Sequence, residues 1–189
     1  LFRRAERIIL AAPYPRRCTG QHSNQDEETM TIKVGDRIPD ATLFVMSDQG
    51  PQAVKAAEFF KGKKVALFAL PGAFTPTCSA KHLPGFIEKY DDLKKKGVET
   101  IACLSVNDAF VMGAWGKSQN VGEKVVMLAD GSGELTKAIG MEFDLTARGL
   151  GVRSQRYSML IDDGVVKQLN LEKPGAFEVS DANTLLGQI

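Results

Sequence analysis

The sequence predicts an α/β domain, a central mixed β-sheet with helices on both faces. Three observations predict it. Beyond residue 32, short apolar runs of strand length alternate with stretches of helical spacing. Those runs are too continuously apolar to have a wet side, so both faces of the sheet need covering. Two further strand-like runs, YSMLI (157–161) and VVKQLNL (165–171), flank Asp162-Asp163-Gly164, the residues of a hairpin turn, which makes the sheet mixed.

The elements follow in order. ATLFVMS (41–47) is an apolar run ended by Asp48-Gln49-Gly50-Pro51, a cluster of turn formers. AVKAAEFF (53–60) suits a short helix closed by Gly62. KVALFAL (64–70) has the length of a buried strand and stops at Pro71-Gly72. Leu83, Phe86, Ile87, Tyr90 and Leu93 recur at three- and four-residue steps, one face of a helix that stops at Gly97. VETIACLSV (98–106) is the next buried strand. Asn107 or Asp108 caps a helix with Phe110, Val111, Ala114 and Trp115 on one face; Phe110 and Trp115 are expected to fill the core. KVVML (124–128) is a strand, a helix is expected near 133–139, and a last helix runs through about 180–187.

A chain of 189 residues, 43% hydrophobic and 25% charged, has the make-up of one soluble globular domain. A domain of this size buries roughly 70% of its unfolded surface and needs no staples. Net charge is +1, so no nucleic-acid partner is expected. No apolar run reaches the ~18 residues of a spanning helix, so no membrane partner is expected either. Cys18, Cys78 and Cys103 form no CxxC pair and no secreted disulfide framework, which points to a reducing compartment. With His22 and His82 apart from any Cys/His cluster, a zinc site is not expected. Residues 1–29 read differently: five arginines stand among Ile8, Ile9 and Leu10, before a polar stretch. They are expected to be a disordered leader or an extension outside the natural protein, with the domain over 30–189 in the cytoplasm. The alternative is an Arg-rich organelle-targeting segment.

The stretch LPGAFTPTCSAKHLPGF (70–86) sets Cys78 where a helix begins. Pro76 suits the first helical position, and Thr75 or Thr77 suits the cap. Unpaired N–H groups there carry about half a positive charge, which favours a thiolate. A free thiol is only a few per cent ionised at neutral pH. A helix end contributes about 1–2 kcal/mol, short of a majority thiolate, so a second cation is wanted. Lys81 and His82 are expected to point away from the helix opening. Arg148, Arg153 and Arg156, just ahead of the hairpin, are the candidates.

PGAFTPTCS resembles the Pro-x-x-x-Thr-x-x-Cys motif of peroxiredoxins, in the form of their peroxiredoxin-five/type-II subfamily. KHLPGF, ACLSVNDAFVMGAW and GLGVRSQRYSML resemble the same subfamily in the same order, from about residue 32 to 189. The resemblance implies a thioredoxin-like fold and an antioxidant thiol peroxidase without metal, flavin or other cofactor, reducing hydrogen peroxide and alkyl hydroperoxides. It implies that Cys78 is the nucleophile, that the Thr75 hydroxyl bonds the thiolate and the peroxide, that Pro71 shields the sulfur, and that Arg156 is the active-site arginine. Backbone N–H groups of Cys78 and the loop before it would hold the peroxide. Subfamily members also suggest a homodimer, with Phe74 and Phe110 facing the partner.

The sulfenic acid left on Cys78 must be resolved by a thiol. Cys103 stands where part of the subfamily has a cysteine, but a cysteine inside an apolar strand is expected to be a buried small hydrophobe. Val179 occupies the place of the C-terminal resolving cysteine of other members. An external thiol is therefore expected, glutathione with glutaredoxin, with thioredoxin as the other candidate. Cys18 is expected to be a bystander. His82 reads as a surface or packing histidine rather than the base of a cysteine hydrolase, Asp162 and Asp163 as a solvated turn, and Lys94 to Lys96 as a solvated face. A thiol–disulfide oxidoreductase would need a second cysteine where Thr75 stands. A peroxide sensor or redox relay that oxidises a partner protein would share the motif, and is the alternative function.

Overall fold

The structure is a computed structural model and describes residues 31–189. The leader expected over 1–29, with Cys18 and His22, lies outside the described residues. Strand β1 (Thr42–Ser47) folds back into β2 (Gly50–Lys55), pairing Thr42 with Lys55 and Ser47 with Gly50. The helix expected over 53–60 is thus only its second half, α1 (Ala56–Phe60). Pairing with β1 overrides the local helical preference of Ala53-Val54-Lys55. Pro51 is tolerated because β2 is an edge strand.

Strand β3 (Lys64–Ala69) runs parallel to β4 (Thr100–Ser105), and β4 runs parallel to β5 (Val126–Ala129). Between β3 and β4 lie a wide π-helical turn (Cys78–His82), α2 (Leu83–Glu88) and α3 (Tyr90–Lys95). The single helix expected here is interrupted at Lys89, but its face holds: Leu83, Phe86 and Leu93 are buried, and Ile87 and Tyr90 are half-buried. Helix α4 (Ala109–Ser118) follows β4, capped by Asp108, whose side chain accepts from Val111 N at 2.9 Å. Its buried face is Ala109, Met112, Trp115 and Gly116. Phe110 is 65% exposed, against expectation; of the three positions grouped with it only Trp115 lies in the buried stripe, which is offset by about one residue.

Helix α5 (Glu134–Ala138) precedes a two-stranded ribbon that the apolar pattern did not announce, β6 (Glu142–Asp144) and β7 (Val152–Ser154). Strands β8 (Tyr157–Asp162) and β9 (Val165–Leu171) form the expected hairpin. Asp163 (φ 47°) and Gly164 (φ 76°) both take the left-handed conformation that a two-residue hairpin turn demands. Helix α6 (Ala182–Gly187) closes the domain, capped by Asp181.

The sheet order is β2-β1-β5-β4-β3-β8-β9. Alternate residues of the central strands feed two cores. Val65, Leu67, Ala69, Ala102 and Leu104 join Phe60 and Leu135 on one face. Ala66, Phe68, Leu70, Ile101 and Cys103 join Leu83, Phe86, Trp115, Leu185 and Cys78 on the other. Helices cover both faces, as expected. None of the described helices is long and apolar enough to cross a membrane.

Candidate active site

Three chain segments meet at the C-terminal end of β3. Antiparallel pairing sets Ala69 opposite Tyr157, so Arg156 arrives beside the loop that follows Leu70. The loop turns on Phe74, an aromatic residue at φ 60°, a conformation that costs about 1–3 kcal/mol and persists only where its surroundings enforce it. They do. Asn107 Oδ1 accepts from Ala73 N at 3.0 Å and from Ser105 Oγ at 2.8 Å. The Arg153 guanidinium donates to the carbonyls of Val106 (3.1 Å) and Leu150 (2.8 Å), and the Thr75 hydroxyl donates to Gly72 O at 2.9 Å.

Helical backbone begins at Pro76, and Ser79 N donates to Thr75 O at 3.0 Å. Cys78 therefore sits in the first turn. That turn is wide: Leu83 N donates to Cys78 O. Pro84 offers a cause, since it lacks an N–H and its ring crowds the carbonyl four residues back. Neither Thr75 nor Thr77 caps through its side chain; the Thr75 hydroxyl is engaged within the loop.

The Cys78 side chain is fully buried. Arg156 Nη2 donates to its sulfur at 3.4 Å. The same guanidinium donates through Nη1 to His82 Nδ1 at 3.0 Å and lies 5.6 Å from the Phe177 ring centroid. His82 is not a surface residue. It is buried against Phe68, Phe86 and Phe177 and meets Ser180 O through Nε2 at 3.1 Å. Burial, reinforced by the Arg156 charge, pushes its pKa down to about 3. The ring is thus neutral near pH 7, with its proton on Nε2 and its Nδ1 lone pair facing Arg156.

The support continues past the histidine. Glu172 Oε1 accepts from the N–H groups of Glu178 (2.7 Å), Val179 (2.8 Å) and Ser180 (2.8 Å) and from Ser180 Oγ (2.9 Å). Partial burial alone would raise the Glu172 carboxyl; these bonds outweigh it and hold the carboxyl below its usual range. Glu172 N donates in turn to Arg156 O at 3.0 Å. Arg156, His82, Ser180 and Glu172 thus close a ring of hydrogen bonds around the guanidinium. Of these the sequence names Arg156 for the site and His82 only as a surface or packing histidine; the packing holds, but the bond to Arg156 is new, as are the parts of Ser180 and Glu172. Their signal was weak: His82 lies four residues after Cys78, and the loop partners are ordinary in composition.

Beside the loop that carries Cys78 lies a cavity of about 330 Å³, lined among others by Pro71, Thr75, Pro76, Arg148 and Arg156; Cys78, fully buried behind them, does not line it. Cys103 is also fully buried, on the same face of the sheet, between Phe68 and Met127 in neighbouring strands. Burial pushes its thiol well above the usual range, the Cys78 charge adds to this, and Arg156 partly offsets it. Both thiols are free. Among the described residues, no three His, Cys, Asp or Glu side chains gather as a metal site. The expected site residues Cys78, Thr75, Pro71 and Arg156 are thus brought together. Arg153 instead ties the β6–β7 connection, at Leu150 O, to Val106 O just after β4, and Arg148 stands at the cavity wall.

The Redoxin family model matches residues 33–186. Peroxiredoxin-2E-2, chloroplastic, of Oryza sativa subsp. japonica is 58% identical over 161 residues, covering 82% of this chain and 72% of that protein. Peroxiredoxin-2B of Arabidopsis thaliana is 52% identical over 156 residues, covering 82% of this chain and 96% of that protein. Reduced Prx3 from Vibrio vulnificus, solved in complex with H2O2, superimposes with a TM-score of 0.81 at 54% identity, covering 84% of this chain and 99% of that one. The sheet and its helices are the thioredoxin-like fold of these proteins. Identity above one half, sustained along almost the whole of a homologous structure, leaves a single family for this chain, and it belongs to the peroxiredoxins.

Proposed function

We propose that Cys78 of this thiol-dependent peroxidase reduces hydrogen peroxide and alkyl hydroperoxides and is regenerated by glutathione with glutaredoxin. The observation that carries the reading is the Arg156 guanidinium, 3.4 Å from a buried sulfur at the head of a helix. The thiolate attacks the terminal peroxide oxygen. An S–O bond forms, the O–O bond breaks, and the leaving oxygen departs with the bonding pair and takes a proton. The products are an alcohol, or water, and a sulfenic acid on Cys78. One external thiol condenses with the sulfenic acid and releases water; a second reduces the mixed disulfide and restores Cys78.

Lowering thiol basicity alone would also lower nucleophilicity. The gain must come from donors aimed at the oxygen on which charge develops. In this reading Arg156 and the N–H groups of the first helical turn supply them. Thr75, tied to Gly72 O, presents its hydroxyl oxygen to the cavity, and Pro71 keeps water from the sulfur. Cys103 stays a small hydrophobe inside a strand paired on both sides.

A second copy of the chain is the proposed partner. Phe44 and Phe110 are exposed and line one cavity of about 360 Å³ with Pro51. Phe74, in the active loop itself, is 56% exposed. We place the peroxiredoxin unit at 30–189 and residues 1–29 outside it. The chloroplastic relative supports an organelle-targeting role for this Arg-rich segment over a cytoplasmic location.

Turnover of hydrogen peroxide with glutathione and glutaredoxin, against thioredoxin, is the test. Turnover with glutaredoxin, abolished in Cys78→Ser, is expected. Peroxide oxidation of Cys78 with no reductant restoring it would favour the sensor instead.

A further inference from the structure

We propose that the cavity beside the Cys78 loop selects hydroperoxides carried on an apolar tail that ends in a carboxylate, and that Arg148 and Lys173 bind that carboxylate. The inference rests on the peroxidase reading above and names a substrate class for the same site.

Size is the first observation. Hydrogen peroxide has two oxygens and fills roughly two water volumes, about 60 Å³. The cavity holds about 330 Å³. Most of it is therefore surplus for the smallest substrate and falls within the range of pockets that bury organic ligands.

The walls are the second. Beyond Pro71, Thr75 and Pro76 of the active loop, Phe143, Leu145, Leu150 and Pro174 line the cavity. Leu150 is 39% exposed, an apolar side chain left facing solvent at the cavity wall. These residues come from the ribbon β6–β7 and from the segment after β9, two additions that the sheet itself does not need.

Charge is the third. Arg148, Arg156 and Lys173 line the cavity with one carboxylate, Glu172. Arg156 is committed to Cys78 and His82, and Glu172 Oε1 is taken by four donors from residues 178–180. Among the described residues, neither Arg148 nor Lys173 forms an ion pair. Two exposed cations, neither ion-paired among the described residues, therefore flank an apolar wall. A tail packs on Phe143, Leu145 and Leu150 while its carboxylate meets Arg148 and Lys173 in water, which leaves the peroxide end at Thr75 and Arg156. A neutral alkyl hydroperoxide makes only the apolar part of this contact.

The test isolates the oxidation step. Reduced full-length protein, without added thiol, is mixed in a stopped-flow instrument with linoleic acid hydroperoxide or its methyl ester, both below the concentration at which they aggregate. The signal is the fluorescence of Trp115, the sole tryptophan, whose indole N–H donates to Ser79 beside Cys78. The acid is expected to react roughly threefold to tenfold faster than the ester, as two solvent-exposed ion pairs allow. High salt should bring the ratio towards one, and so should the double variant Arg148→Gln/Lys173→Gln. Equal rates for acid and ester in the unmodified protein overturn the inference and leave the peroxidase reading standing, as does an undiminished ratio in the double variant. If neither lipid peroxide nor hydrogen peroxide oxidises Cys78, both readings fall.

Discussion

Arg156 spends its planar fork on two acceptors at once, Cys78 Sγ and His82 Nδ1. Lysine offers a point charge on a flexible stem and cannot hold both. Arg156→Lys is therefore expected to lower the rate constant of Cys78 oxidation by about 10²-fold or more, the usual loss when a fixed donor is removed; stopped-flow kinetics at equal thiolate content checks it. His82 has a separate signature. Unfolded, it titrates near 6.5; folded, near 3. Between these values the unfolded chain holds a proton that the folded chain does not, so stability is complete above about 6.5 and is lost as pH falls towards 3. Going from pH 7 to pH 5 should cost about 2 kcal/mol at about 1.4 per unit. Urea unfolding of His82→Gln, which retains an acceptor and a donor without titrating in this range, should show most of that slope gone; an unchanged slope would assign it elsewhere. That Cys78, Thr75, Pro71 and Arg156 would gather in one place was legible in the sequence because each sits in a short motif. His82 was not, because its role depends on Arg156 arriving from 74 positions away.

At the scale of elements, β4 does more than carry Cys103. Its C-terminal end presents Ser105 and Asn107, and Asn107 holds the loop at Ala73. Sequence reading offered Asn107 and Asp108 as alternative caps for α4. Asp108 takes the cap and Asn107 becomes the latch, a division that only the neighbouring loop can decide. Asn107→Ala leaves the Ala73 N–H short of an acceptor and the Ser105 hydroxyl with only Leu70 O, at 3.3 Å. It should destabilise the protein by about 1–3 kcal/mol, measured by urea unfolding, and slow peroxide reduction as the loop loosens. The buried strands β3, β4 and β5 were legible because a run apolar on both faces has few other homes. The edge strand β2 was misread as helix because an edge carries little apolar pattern, and β6–β7 went unseen for the same reason. Phe110 was assigned to the core because hydrophobicity alone does not fix which of two adjacent stripes of a short helix faces the sheet.

For the whole molecule, the two-layer cover of one sheet brings three distant segments together at the active site, the loop after β3, the end of β4 and the residue before β8, and sets a fourth, the segment before α6, behind His82. The alternation of elements revealed that architecture; the convergence of loops did not show, since it lies in register and not in composition. Exposed Phe44 and Phe110, lining one cavity, give the proposed partner surface. Sedimentation should find a dimer at micromolar concentration, shifted towards monomer by Phe110→Glu; a monomeric unmodified protein would remove that proposal. The central claim is that one sulfur, Cys78, takes the oxygen. The direct measurement is mass spectrometry of the reduced protein treated with one equivalent of hydrogen peroxide in the presence of a sulfenic-acid trap. The account predicts a single adduct on the peptide that contains Cys78, with Cys103 unmodified. An adduct on Cys103, or undiminished peroxide consumption by Cys78→Ser, would contradict it.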